Sequence, residues 1–397
     1  MSTVLLAINA GSSSVKISVF KTDRQRKSPT QLAEIQVAGL TAPPVTLTYD
    51  NGKEKIKGRK LDQDINSQDD AFGYMLDHLI KDSTLSDIGE KDKINVACHR
   101  IVHGGNYEDA TVIDTDTFDR LRELTDLAPL HNAPALGIVQ SCMKHLQSTK
   151  NIAFFDSAFH HTLPEHIRTY PIDQAVAKKN QLRKYGFHGI SYSFITRSVA
   201  EFLQKPQEET NIIALHLGSG ASACAIRNGQ SLDTSLVFHF THDAGKPSRT
   251  STKEMHITTA EEILNKSSGW SSLTQSTDFS LITSSLATSP ASKLAFDIFI
   301  DRIIGFVGAY FVRLGGQVDA LVFAGGIGEK SAVLRERVVE GVQCLGFGLD
   351  RERSEKVGDD EGVVVDISEG EGGRRTLIVR TDEQFEMARE CIAKSKF

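Results

Sequence analysis

The chain has 397 residues, a length that suggests two or three domains, each able to bury a core of its own. Its net charge of -6 and charged content of 24% are those of an ordinary globular protein, without the excess of Lys and Arg that nucleic-acid binding needs. No apolar run reaches the roughly 18 residues of a membrane span, so we expect neither a nucleic-acid nor a membrane partner.

The first residues of the chain and its cysteines indicate a compartment. The stretch MSTVLLAINAGSSS lacks a basic region before its apolar residues, which argues against a signal peptide. The five cysteines form no CxxC pair, so they indicate neither a zinc site nor a disulfide framework. We expect a cytoplasmic location, where thiols stay reduced, with free thiols at Cys98, Cys142, Cys224, Cys344 and Cys391.

The first half of the chain reads as a β-rich region followed by alternating helices and strands. Residues 5–20, LLAINAGSSSVKISVF, are two predicted strands around a turn of Gly11 and three serines. Pro134 stands in the first turn of a predicted helix, a position where the missing N–H of proline has no cost. The other predicted elements are a hairpin over 44–58 around Asp50-Asn51-Gly52, a helix near 69–81, a buried strand over 94–105, the Pro134 helix over 133–146 and a strand over 151–160.

The second half repeats the opening pattern. Residues 211–229, NIIALHLGSGASACAIRNG, are again two predicted strands around a turn of small residues. Two such units far apart in the chain predict a duplicated fold with two related domains that face each other. The remaining predicted elements are a long, largely buried helix over 290–316, a strand, Gly-rich turn and helix over 320–342, a hairpin over 362–383 and a final helix over 382–395.

The two turns that contain Gly and Ser have two explanations. Any hairpin needs small residues at its turn, and this suffices for either turn alone. Backbone N–H groups and hydroxyls gathered at a turn also bind phosphate, although no GxxxxGK[ST] is present and a strand follows each turn. Gly326-Ile327-Gly328 then precedes a predicted helix, whose amino terminus suits a nucleotide phosphate. Together the three turns favour nucleotide binding.

Charged residues beside apolar strands are the candidates for chemistry. Arg100 enters such a strand, where a buried charge needs a partner such as an anionic substrate; a surface arginine is the alternative. Asp156 ends a strand and suits Mg²⁺, and Glu383 is a second candidate, although charge complementarity at a helix start also explains it. The residues that can be read as metal ligands, but match no common zinc spacing, are Asp156, His160, His161 and His166.

Eight motifs occur in order along the chain: INAGSSSVK, HRIVHGG, APLHN, FDSAFH, YGFHGIS, HLGSGAS, FAGGIGE and RTDE. Together they resemble the acetate kinase family over nearly the whole chain, and HLGSGAS with residues 252–270 is similar to its fungal branch. The resemblance implies an α/β fold, the duplicated ribonuclease-H-like architecture of sugar kinases, actin and Hsp70, with a cleft between two domains. The implied N-terminal domain is 1–150 with the helix 384–397, and the implied nucleotide-binding domain is 151–383.

The resemblance also implies a substrate site and a metal site. Arg100 would hold the acetate carboxylate, while Val102 and Leu130 would shape a small apolar pocket for its methyl group. Asn9 and Glu383 would help to hold Mg²⁺, the implied metal cofactor.

A transfer site and a nucleotide site are implied as well. Asp156 would be the catalytic carboxylate, His131 would assist the transfer, and His188 would stabilise the transferring phosphoryl group. These residue types fit, because two anions that must approach each other need positioning and charge neutralisation. The residues implied for ATP and ADP are Asn9, Ser12, Ser14, Lys16, His216, Leu217, Gly218, Ser219, Gly220, Asp278, Phe279, Ser280, Gly326, Ile327, Gly328, Glu329 and Lys330.

The implied reaction is reversible, Mg-dependent phosphoryl transfer from ATP to acetate, which gives acetyl phosphate and ADP. The alternatives among enzymes are a kinase for another short-chain carboxylate, propionate or butyrate, and a pyrophosphate-linked relative. A nucleotide-binding protein without catalysis is an alternative of a different class. A scaffold like actin or Hsp70 would leave Arg100, His131 and His188 unexplained. The family further implies a homodimer.

The sequence departs from the family pattern. Ser219, Lys330 and Gln384 stand where the family often has Asn, Asn and Glu. After SLDTS, which ends at Ser235, the family continues with M-G-x-T-P-x-x-G and T-R-x-G-x-x-D-P, whereas here LVFHFTHDAGK follows at once. The absent segment carries a second active-site arginine, and the surroundings of Arg249 do not match that role.

The absent segment has a consequence for activity. An arginine that stabilises a transferring phosphoryl group is worth roughly 10³ to 10⁵ in rate, or about 4 to 7 kcal/mol. The sequence therefore predicts a chain that binds nucleotide but is severely impaired in turnover. The clean excision between two motifs indicates a skipped exon or a faulty gene model, with a genuine shortened protein as the alternative.

Overall fold

Two β-sheets, each with its own hydrophobic core, organise the computed structural model into two units. The first unit takes the residues up to Ala158 and those from Asp382 onward, and the second takes most residues from Phe159 to Thr381. The structure describes residues 2–11, 13–23, 28–218, 220–235, 263, 268–358, 360–370 and 372–394.

The first sheet has the spatial order β5-β4-β3-β2-β1-β6-β8-β7. Its strands are β1 (Ser2–Ala10), β2 (Ser14–Asp23), β3 (Thr30–Ala38), β4 (Thr46–Asp50), β5 (Lys55–Lys60), β6 (Ile94–Ile101), β7 (Thr111–Val112) and β8 (Lys150–Phe155). At the centre, β1 pairs antiparallel with β2 and parallel with β6, and β6 pairs parallel with β8. The predicted hairpin around Asp50-Asn51-Gly52 is confirmed as β4 and β5.

The second sheet has the spatial order β11-β10-β9-β12-β14-β13. Its strands are β9 (Ile212–Leu217), β10 (Ala221–Arg227), β11 (Gln230–Thr234), β12 (Ala320–Ala324), β13 (Val364–Asp366) and β14 (Arg375–Val379). Here β9 pairs antiparallel with β10 and parallel with β12, and β12 pairs parallel with β14. The order and directions of β11-β10-β9-β12-β14 are those of β3-β2-β1-β6-β8 in the first sheet, which confirms the duplicated ribonuclease-H-like fold.

Helices cover the faces of both sheets. In chain order they are α1 (Gln68–Lys81), α2 (Thr115–Glu123), α3 (Pro129–His145), α4 (Glu165–Arg168), α5 (Gln174–Lys179), α6 (Gly189–Phe202), α7 (Trp270–Thr274), α8 (Phe279–Ser284), α9 (Pro290–Arg313), α10 (Gly325–Lys330), α11 (Ala332–Gly341), α12 (Arg351–Glu355) and α13 (Glu383–Ala393). No helix among the described residues is both long and apolar enough to cross a membrane.

Helix α1 shows why the periodic segments fold as predicted. Ser67 caps its start by accepting a hydrogen bond from the Asp70 amide, and two aspartates in its first turn suit the helix dipole. Its buried residues recur at helical spacing and pack on the first sheet. They are Ala71, Phe72, Met75, Leu76 and Leu79.

Two predicted helix starts are wrong by a few residues, and each error has a local cause. Helix α3 begins at Pro129, so Pro134 lies inside the helix and not in its first turn. Both prolines fit the first-turn pattern, and the sequence offers no way to choose between them. The Gly-rich helix begins at Gly325, so Gly326 to Gly328 are part of helix α10 and do not form a turn that precedes it.

The limits of the two units differ from 150 and 384, where the sequence places them. The structure keeps β8, which begins at Lys150, in the first unit because this strand pairs with β6 along its length. The final helix returns to the first unit together with Asp382, whose carboxylate caps that helix by accepting from the Phe385 amide.

Gln384 attaches the final helix to the centre of the first sheet. Its side chain is 4% exposed, and Nε2 donates to the Ala7 carbonyl at 2.8 Å and to the Lys16 carbonyl at 3.4 Å. A glutamate at this position would donate no such hydrogen bond while it is ionised. The Gln384 amide therefore joins α13 to β1 and β2 by hydrogen bonds. A glutamate side chain could donate such a bond only in its protonated form.

Gln384→Glu is expected to lower the free energy of unfolding by about 1 to 3 kcal/mol at pH 7.5, because two carbonyl oxygens would face a carboxylate. The loss should shrink at pH 5, where a protonated carboxyl can donate. Urea unfolding followed by circular dichroism measures both values. Gln140→Glu, at an exposed position of α3, is the matched control and should change stability by no more than about 0.5 kcal/mol. A Gln384→Glu variant as stable as the control would contradict this role.

Candidate functional site

A buried ion pair joins the ends of two parallel strands in the first unit. Arg100 lies near the end of β6 and Asp156 follows β8, so the parallel register brings both to one edge of the sheet. Arg100 Nε donates to both Asp156 oxygens at 3.2 and 3.1 Å, and Nη2 donates to Oδ2 at 2.7 Å. The Asp156 side chain is 1% exposed and that of Arg100 is 17% exposed. The pair therefore has one fixed geometry.

The electrostatics of this pair suit an anion site. Burial alone would lower the pKa of Arg100, but the Asp156 carboxylate and, more weakly, Glu383 raise it above its ordinary value. Asp156 takes the Nε and Nη2 hydrogens, so a further carboxylate would bind through the Nη1 edge of the guanidinium. The charge that this edge presents is permanent, because arginine does not lose its proton in proteins.

The loop after β6 is fixed from the side of α3. Asn132 is fully buried, its Oδ1 accepts the His103 amide at 3.0 Å, and its Nδ2 donates to the His103 carbonyl at 2.9 Å. Val102, half-buried in the same loop, is held in place by these bonds. Leu130 belongs to α3 as well, but its side chain lies outside the part of the chain that the structure describes.

Gly104 completes the loop and explains one glycine of the HRIVHGG motif. Its amide donates to Ser157 Oγ at 3.0 Å. A Cβ at this position would lie 2.4 Å from the ring of Phe155, so a larger residue would push the loop away from β8. The glycine therefore keeps the loop against β8, the strand that Asp156 follows.

His131 precedes Asn132 on α3 and is exposed. Partial desolvation and the charge of Arg100 lower the pKa of His131, while Asp156 acts in the opposite direction. His131 is thus close enough to the ion pair to respond to both of its charges. Its lowered pKa favours the neutral ring near pH 7, a form that can donate one hydrogen bond and accept another.

The turn between β1 and β2 is closed by backbone bonds. The Gly11 amide donates to the Ser14 carbonyl at 2.9 Å, and Gln68 Nε2 donates to the Gly11 carbonyl at 2.8 Å. A Cβ added to Gly11 would meet nothing within 4 Å, so the turn has open space beside it. Ser12, which is also predicted for phosphate contact, lies outside the described residues.

Asn9 and Lys16 face each other across this hairpin. They are paired residues of β1 and β2, and both are half-buried. Lys16 Nζ lies 2.8 Å from Glu34 Oε2, so the ammonium group that is predicted to meet phosphate is held by a carboxylate in this structure. About a third of each side chain is exposed (35% and 36%), and such pairs contribute little and exchange readily.

The start of α13 supplies the second carboxylate site of the first unit. Asp382 caps the helix, and burial raises the pKa of this carboxyl despite the hydrogen bond from the Phe385 amide and the charge of Lys16. Glu383, the first residue of the helix, is half-buried and close enough to Arg100 to raise its pKa. The charges in this part of the unit therefore act on one another: Lys16 acts on Asp382, and Glu383 acts on Arg100.

In the second unit, the turn between β9 and β10 resembles the first turn. The Gly218 amide donates to the Gly220 carbonyl at 3.0 Å, and Leu217 pairs with Ala221 at the base of the turn. Ser219 lies outside the described residues.

His188 stands beside this turn. It begins α6 in a left-handed conformation, with φ 57° and ψ 25°, and its Nδ1 lies 2.7 Å from Ser222 Oγ. Its ring centroid is 4.3 Å from that of His216, and a Cβ on Gly220 would lie 3.5 Å from its Nε2. The structure therefore brings His188, His216 and the second turn together, and their contact with phosphate stays a prediction.

His160 holds the loop that leads to His188. Its Nδ1 lies 2.7 Å from Ser231 Oγ and its Nε2 donates to the Phe187 carbonyl at 3.1 Å, while a Cβ on Gly186 would lie 2.4 Å from its ring. Burial lowers the pKa of His160 to about 4, so the ring stays neutral. Both nitrogens are used, which contradicts the reading of His160 as a metal ligand, and the described residues hold no cluster of three or more such side chains.

The glycines of FAGGIGE allow a close approach of β12 to β9. Gly325 has φ +74°, and a Cβ there would lie 2.7 Å from the Leu217 carbonyl oxygen. Gly326 is exposed with open space beside it. Burial raises the pKa of Glu329, against the effect of a hydrogen bond from Gly325. Lys330 ends the helix and is exposed.

Arg335 fixes the end of α10. It is 2% exposed, and Nη1 donates to the carbonyls of Gly328 and Glu329 at 2.9 and 2.8 Å. Nε and Nη2 donate to the hydroxyl and carbonyl of Ser354 at 3.0 and 2.6 Å. Burial lowers its pKa to about 10, so the residue stays charged at neutral pH.

The segment predicted to surround adenosine has other contacts in the structure. Asp278 caps α8 by accepting from the amides of Ser280 and Leu281. Phe279 is buried, with its ring centroid 5.0 Å from that of Trp270. Contact of this segment with adenosine stays a prediction.

A cavity of about 710 Å³ in the second unit contains none of the predicted site residues. Its lining includes Glu336, Glu340, Asp350 and Glu369, and Arg351 in its wall pairs with the first two of these at 3.0 and 2.6 Å. A cavity with this charge repels phosphate, so its volume does not make it a candidate nucleotide site.

Several functional neighbours escape sequence reasoning because they act through hydrogen bonds between distant residues. The signal that each offers is a polar residue within an apolar or Gly-rich stretch next to a motif residue. They are Asn132, Tyr192, Ser222 and Arg335. The sequence singles out His160 only as a possible metal ligand, so its role in holding the loop before His188 is missed as well.

Comparison with known proteins gives relatives over the full length. The chain is 52% identical over 410 residues to a probable acetate kinase of Emericella nidulans, covering 98% of this chain and 97% of that one. A 456-residue alignment with a probable acetate kinase of Chaetomium globosum is 50% identical and covers 100% and 99% of the two chains. Both alignments are longer than the 397 residues of this chain, so these relatives carry residues that it lacks.

Solved structures agree with the sequence relatives. Acetate kinase of Porphyromonas gingivalis superposes with a TM-score of 0.80 at 30% identity, covering 98% of this chain and 99% of the other. A propionate kinase of Francisella tularensis gives 0.81 at 27% identity and 98% coverage of both chains. The sequence pattern of the Acetokinase family matches residues 4–243 and 249–389. The chain therefore belongs to the acetokinase family.

Proposed function

We propose that the chain is an acetate kinase, a phosphotransferase that moves a phosphoryl group reversibly between ATP and the carboxyl group of acetate. The observation that carries this proposal is the buried pair of Arg100 and Asp156, placed where β6 and β8 end. A fixed guanidinium whose Nη1 edge is not bonded to Asp156 is the group expected to bind a small carboxylate in a defined orientation.

In this proposal the first unit binds and aligns acetate. Arg100 binds the carboxylate through Nη1, and Asp156 is the catalytic carboxylate whose contacts with Nε and Nη2 fix the plane of the guanidinium. The loop after β6, held by the two hydrogen bonds between Asn132 and His103, would bring Val102 to the methyl group. Leu130, whose side chain lies outside the described part of the chain, is proposed for the same pocket from the sequence alone. Positioning and charge neutralisation are the main demands of phosphoryl transfer, which requires little covalent participation of the protein.

His131 assists as a neutral group in this proposal. Its lowered pKa keeps the ring uncharged, so that it donates a hydrogen bond to a developing negative charge without adding a second cation beside Arg100.

The residues present fit magnesium. Mg²⁺ is usually held by one or two carboxylates together with substrate phosphates, and the described residues offer no closed cage of His, Cys, Asp and Glu. Glu383 and Asn9 would hold the ion through a carboxylate and an amide oxygen. When bound, the ion would neutralise charge on the nucleotide phosphates. The residues of this unit proposed to contact the nucleotide phosphates are Asn9, Ser12, Ser14 and Lys16, of which Lys16 is paired with Glu34.

The second unit binds the nucleotide in this proposal. The turn between β9 and β10 and the start of α10 are proposed to bind phosphate through backbone N–H groups other than that of Gly218, which donates to the Gly220 carbonyl. His188 donates a hydrogen bond to the group in transfer. Arg335 keeps α10 in place by binding its last carbonyls.

The chain is also proposed to form a homodimer in the cytoplasm. Support for the dimer comes from α9, where the side chains of Leu294, Ile298 and Val312 are 53%, 41% and 76% exposed. Support for the location comes from the cysteines, all five of which are free thiols.

The predicted loss of a segment bears on activity. Ser235 is the last described residue before the break, and its amide and hydroxyl bond to Ala223 at 2.8 and 3.1 Å. The residues that follow it lie outside the described part of the chain. The longer alignments of the fungal relatives support the loss, and an impaired, nucleotide-binding chain remains the second candidate.

The pKa of His131 should respond in opposite directions to the two charges beside it. Arg100→Gln removes a cation and is expected to raise that pKa, whereas Asp156→Asn removes an anion and is expected to lower it. Histidine proton NMR across pH measures both, and the signal absent from His131→Gln assigns the resonance. A shift of the same sign in both variants would contradict the proposed arrangement.

Acetate-dependent turnover tests the function directly. The chain as written is expected to bind Mg-ATP but to form acetyl phosphate, trapped as hydroxamate, about 10³- to 10⁵-fold more slowly than a chain with the absent segment restored from a fungal relative. Asp156→Asn in the restored chain should then lose at least about 10²-fold. Propionate, assayed in parallel, distinguishes the other carboxylate kinases. If the restored chain showed no acetate-dependent turnover, the assignment would fail.

The dimer is tested by sedimentation velocity. The chain is expected to sediment as a dimer, and Leu294→Glu with Ile298→Glu to sediment as a monomer, because two charges would replace exposed apolar side chains. Val112→Glu, at an exposed apolar position of the first unit, is the control and should leave the dimer intact. A monomer before any substitution would refute the proposal.

A further inference from the structure

His188 lies at the end of a chain of hydrogen bonds within the second unit. Its Nδ1 is 2.7 Å from Ser222 Oγ, and the same oxygen is 2.6 Å from the hydroxyl of Tyr192. Tyr192 follows His188 by one turn of α6, and Ser222 lies on β10 opposite His216. Hydrogen bonds thus link the three side chains in series, from Tyr192 through Ser222 to the imidazole of His188.

We propose that Tyr192 and Ser222 are positioning residues that hold His188 as the neutral tautomer with its hydrogen on Nε2. In that tautomer Nε2 donates a hydrogen bond to the phosphoryl group in transfer, so this part of the inference rests on the proposed function. The tautomer itself does not depend on turnover.

The direction of the hydrogen bonds follows from the burial of Tyr192. The side chain is fully buried, and burial raises its pKa well above the usual value, so the hydroxyl keeps its hydrogen and must donate it. Among the described residues, the oxygen that lies within hydrogen-bond distance of this hydroxyl is Ser222 Oγ, 2.6 Å away, so the buried tyrosine hydrogen goes to Ser222.

The tautomer of His188 then follows. Ser222 accepts from Tyr192, so its own hydrogen is directed to the remaining neighbour, Nδ1 of His188. A ring nitrogen that accepts carries no hydrogen, and the neutral ring must carry its hydrogen on Nε2. In the reverse direction, with Nδ1–H donating to Ser222 and Ser222 donating to the phenol oxygen, the buried tyrosine hydrogen would have no acceptor among the described residues.

The surroundings of the ring aim Nε2 at the predicted phosphate turn. A Cβ built on Gly220 would lie 3.5 Å from both Cε1 and Nε2 of His188, so this edge of the ring faces the turn between β9 and β10. The His216 ring, 4.3 Å away between centroids, limits rotation from the other side. The ring is therefore fixed in both its orientation and the placement of its hydrogen.

Nitrogen NMR of the full chain, labelled with ¹⁵N-histidine, reads the tautomer without any need for activity. In the unmodified protein we expect Nδ1 of His188 in the unprotonated range and Nε2 in the protonated range, with the signals assigned by their loss in His188→Gln. A hydrogen on Nδ1 of the unmodified chain, in a neutral or a charged ring, would overturn the proposal.

Substitutions test the two positioning residues separately. Ser222→Ala removes the donor to Nδ1, and Tyr192→Phe removes the hydroxyl that commits the Ser222 hydrogen to Nδ1. Each variant should therefore shift Nδ1 toward the protonated range. Ser222→Thr keeps a hydroxyl and should retain the original tautomer. Tyr310→Phe is the matched control, since it removes another buried tyrosine hydroxyl, 3.5 Å from the Ala223 carbonyl and outside this chain of bonds. An unchanged tautomer in both Tyr192→Phe and Ser222→Ala would refute their role.

Titration with Mg-ATP tests the donor role of Nε2. The nucleotide is expected to shift the Nε2 signal of His188 in the unmodified chain and in Ser222→Thr, and to lose at least half of that shift in Ser222→Ala. No shift on saturation with Mg-ATP would overturn the donor role while leaving the tautomer established. Absence of acetate-dependent turnover in the restored chain would refute the proposed function and leave both NMR results intact.

Discussion

The buried pair of Arg100 and Asp156 is the constraint on which the first unit depends. The two residues are 56 positions apart, and they meet only because β6 and β8 are adjacent and parallel. Removal of two charges from water is costly, and breaking such a pair costs about 3 to 5 kcal/mol, so the register of these strands and the position of the charges stabilise each other. Asn132 and Gly104 fix the loop after β6 against α3 and β8. The geometry of the candidate carboxylate site is therefore a consequence of strand pairing.

The fold was largely predictable because its determinants are local and repeated. Alternation and helical spacing gave the strands and α1, and the two similar hairpins gave the duplication, which the matching strand orders confirm. The errors occurred where the local chemistry is ambiguous. Pro129 and Pro134 both suit a helix start, and glycines as close as those from Gly325 to Gly328 read as a turn although they lie in a helix. Contacts made far along the chain decide such cases, and the sequence pattern does not contain them.

The residues of the candidate site also fall into two groups, those that the sequence predicts and those that only the structure reveals. Arg100, Asp156 and His188 stand out because charged or polar residues interrupt apolar motifs. The residues that support them cannot be identified from the sequence in this way. Ser222 and Tyr192 are recognised only in the folded chain, where β10 and α6 bring their oxygens within hydrogen-bond distance of each other. Volume is a poor guide as well, because the cavity of about 710 Å³ is lined by carboxylates and excludes the predicted residues. The candidate site therefore consists of paired polar groups at strand ends and turns.

The return of α13 to the first unit has a consequence for the order of folding during synthesis. The hairpin of β1 and β2 is made first, but its carbonyls at Ala7 and Lys16 receive the amide of Gln384 only after the ribosome has added residues near the other end of the chain. The second unit lies between these segments and has all of its strands before α13 is made. Domains generally fold as units, so the second unit can fold completely before α13 covers its face of the first sheet. A chain interrupted shortly before its end would lose the first unit's final helix and keep an intact second unit.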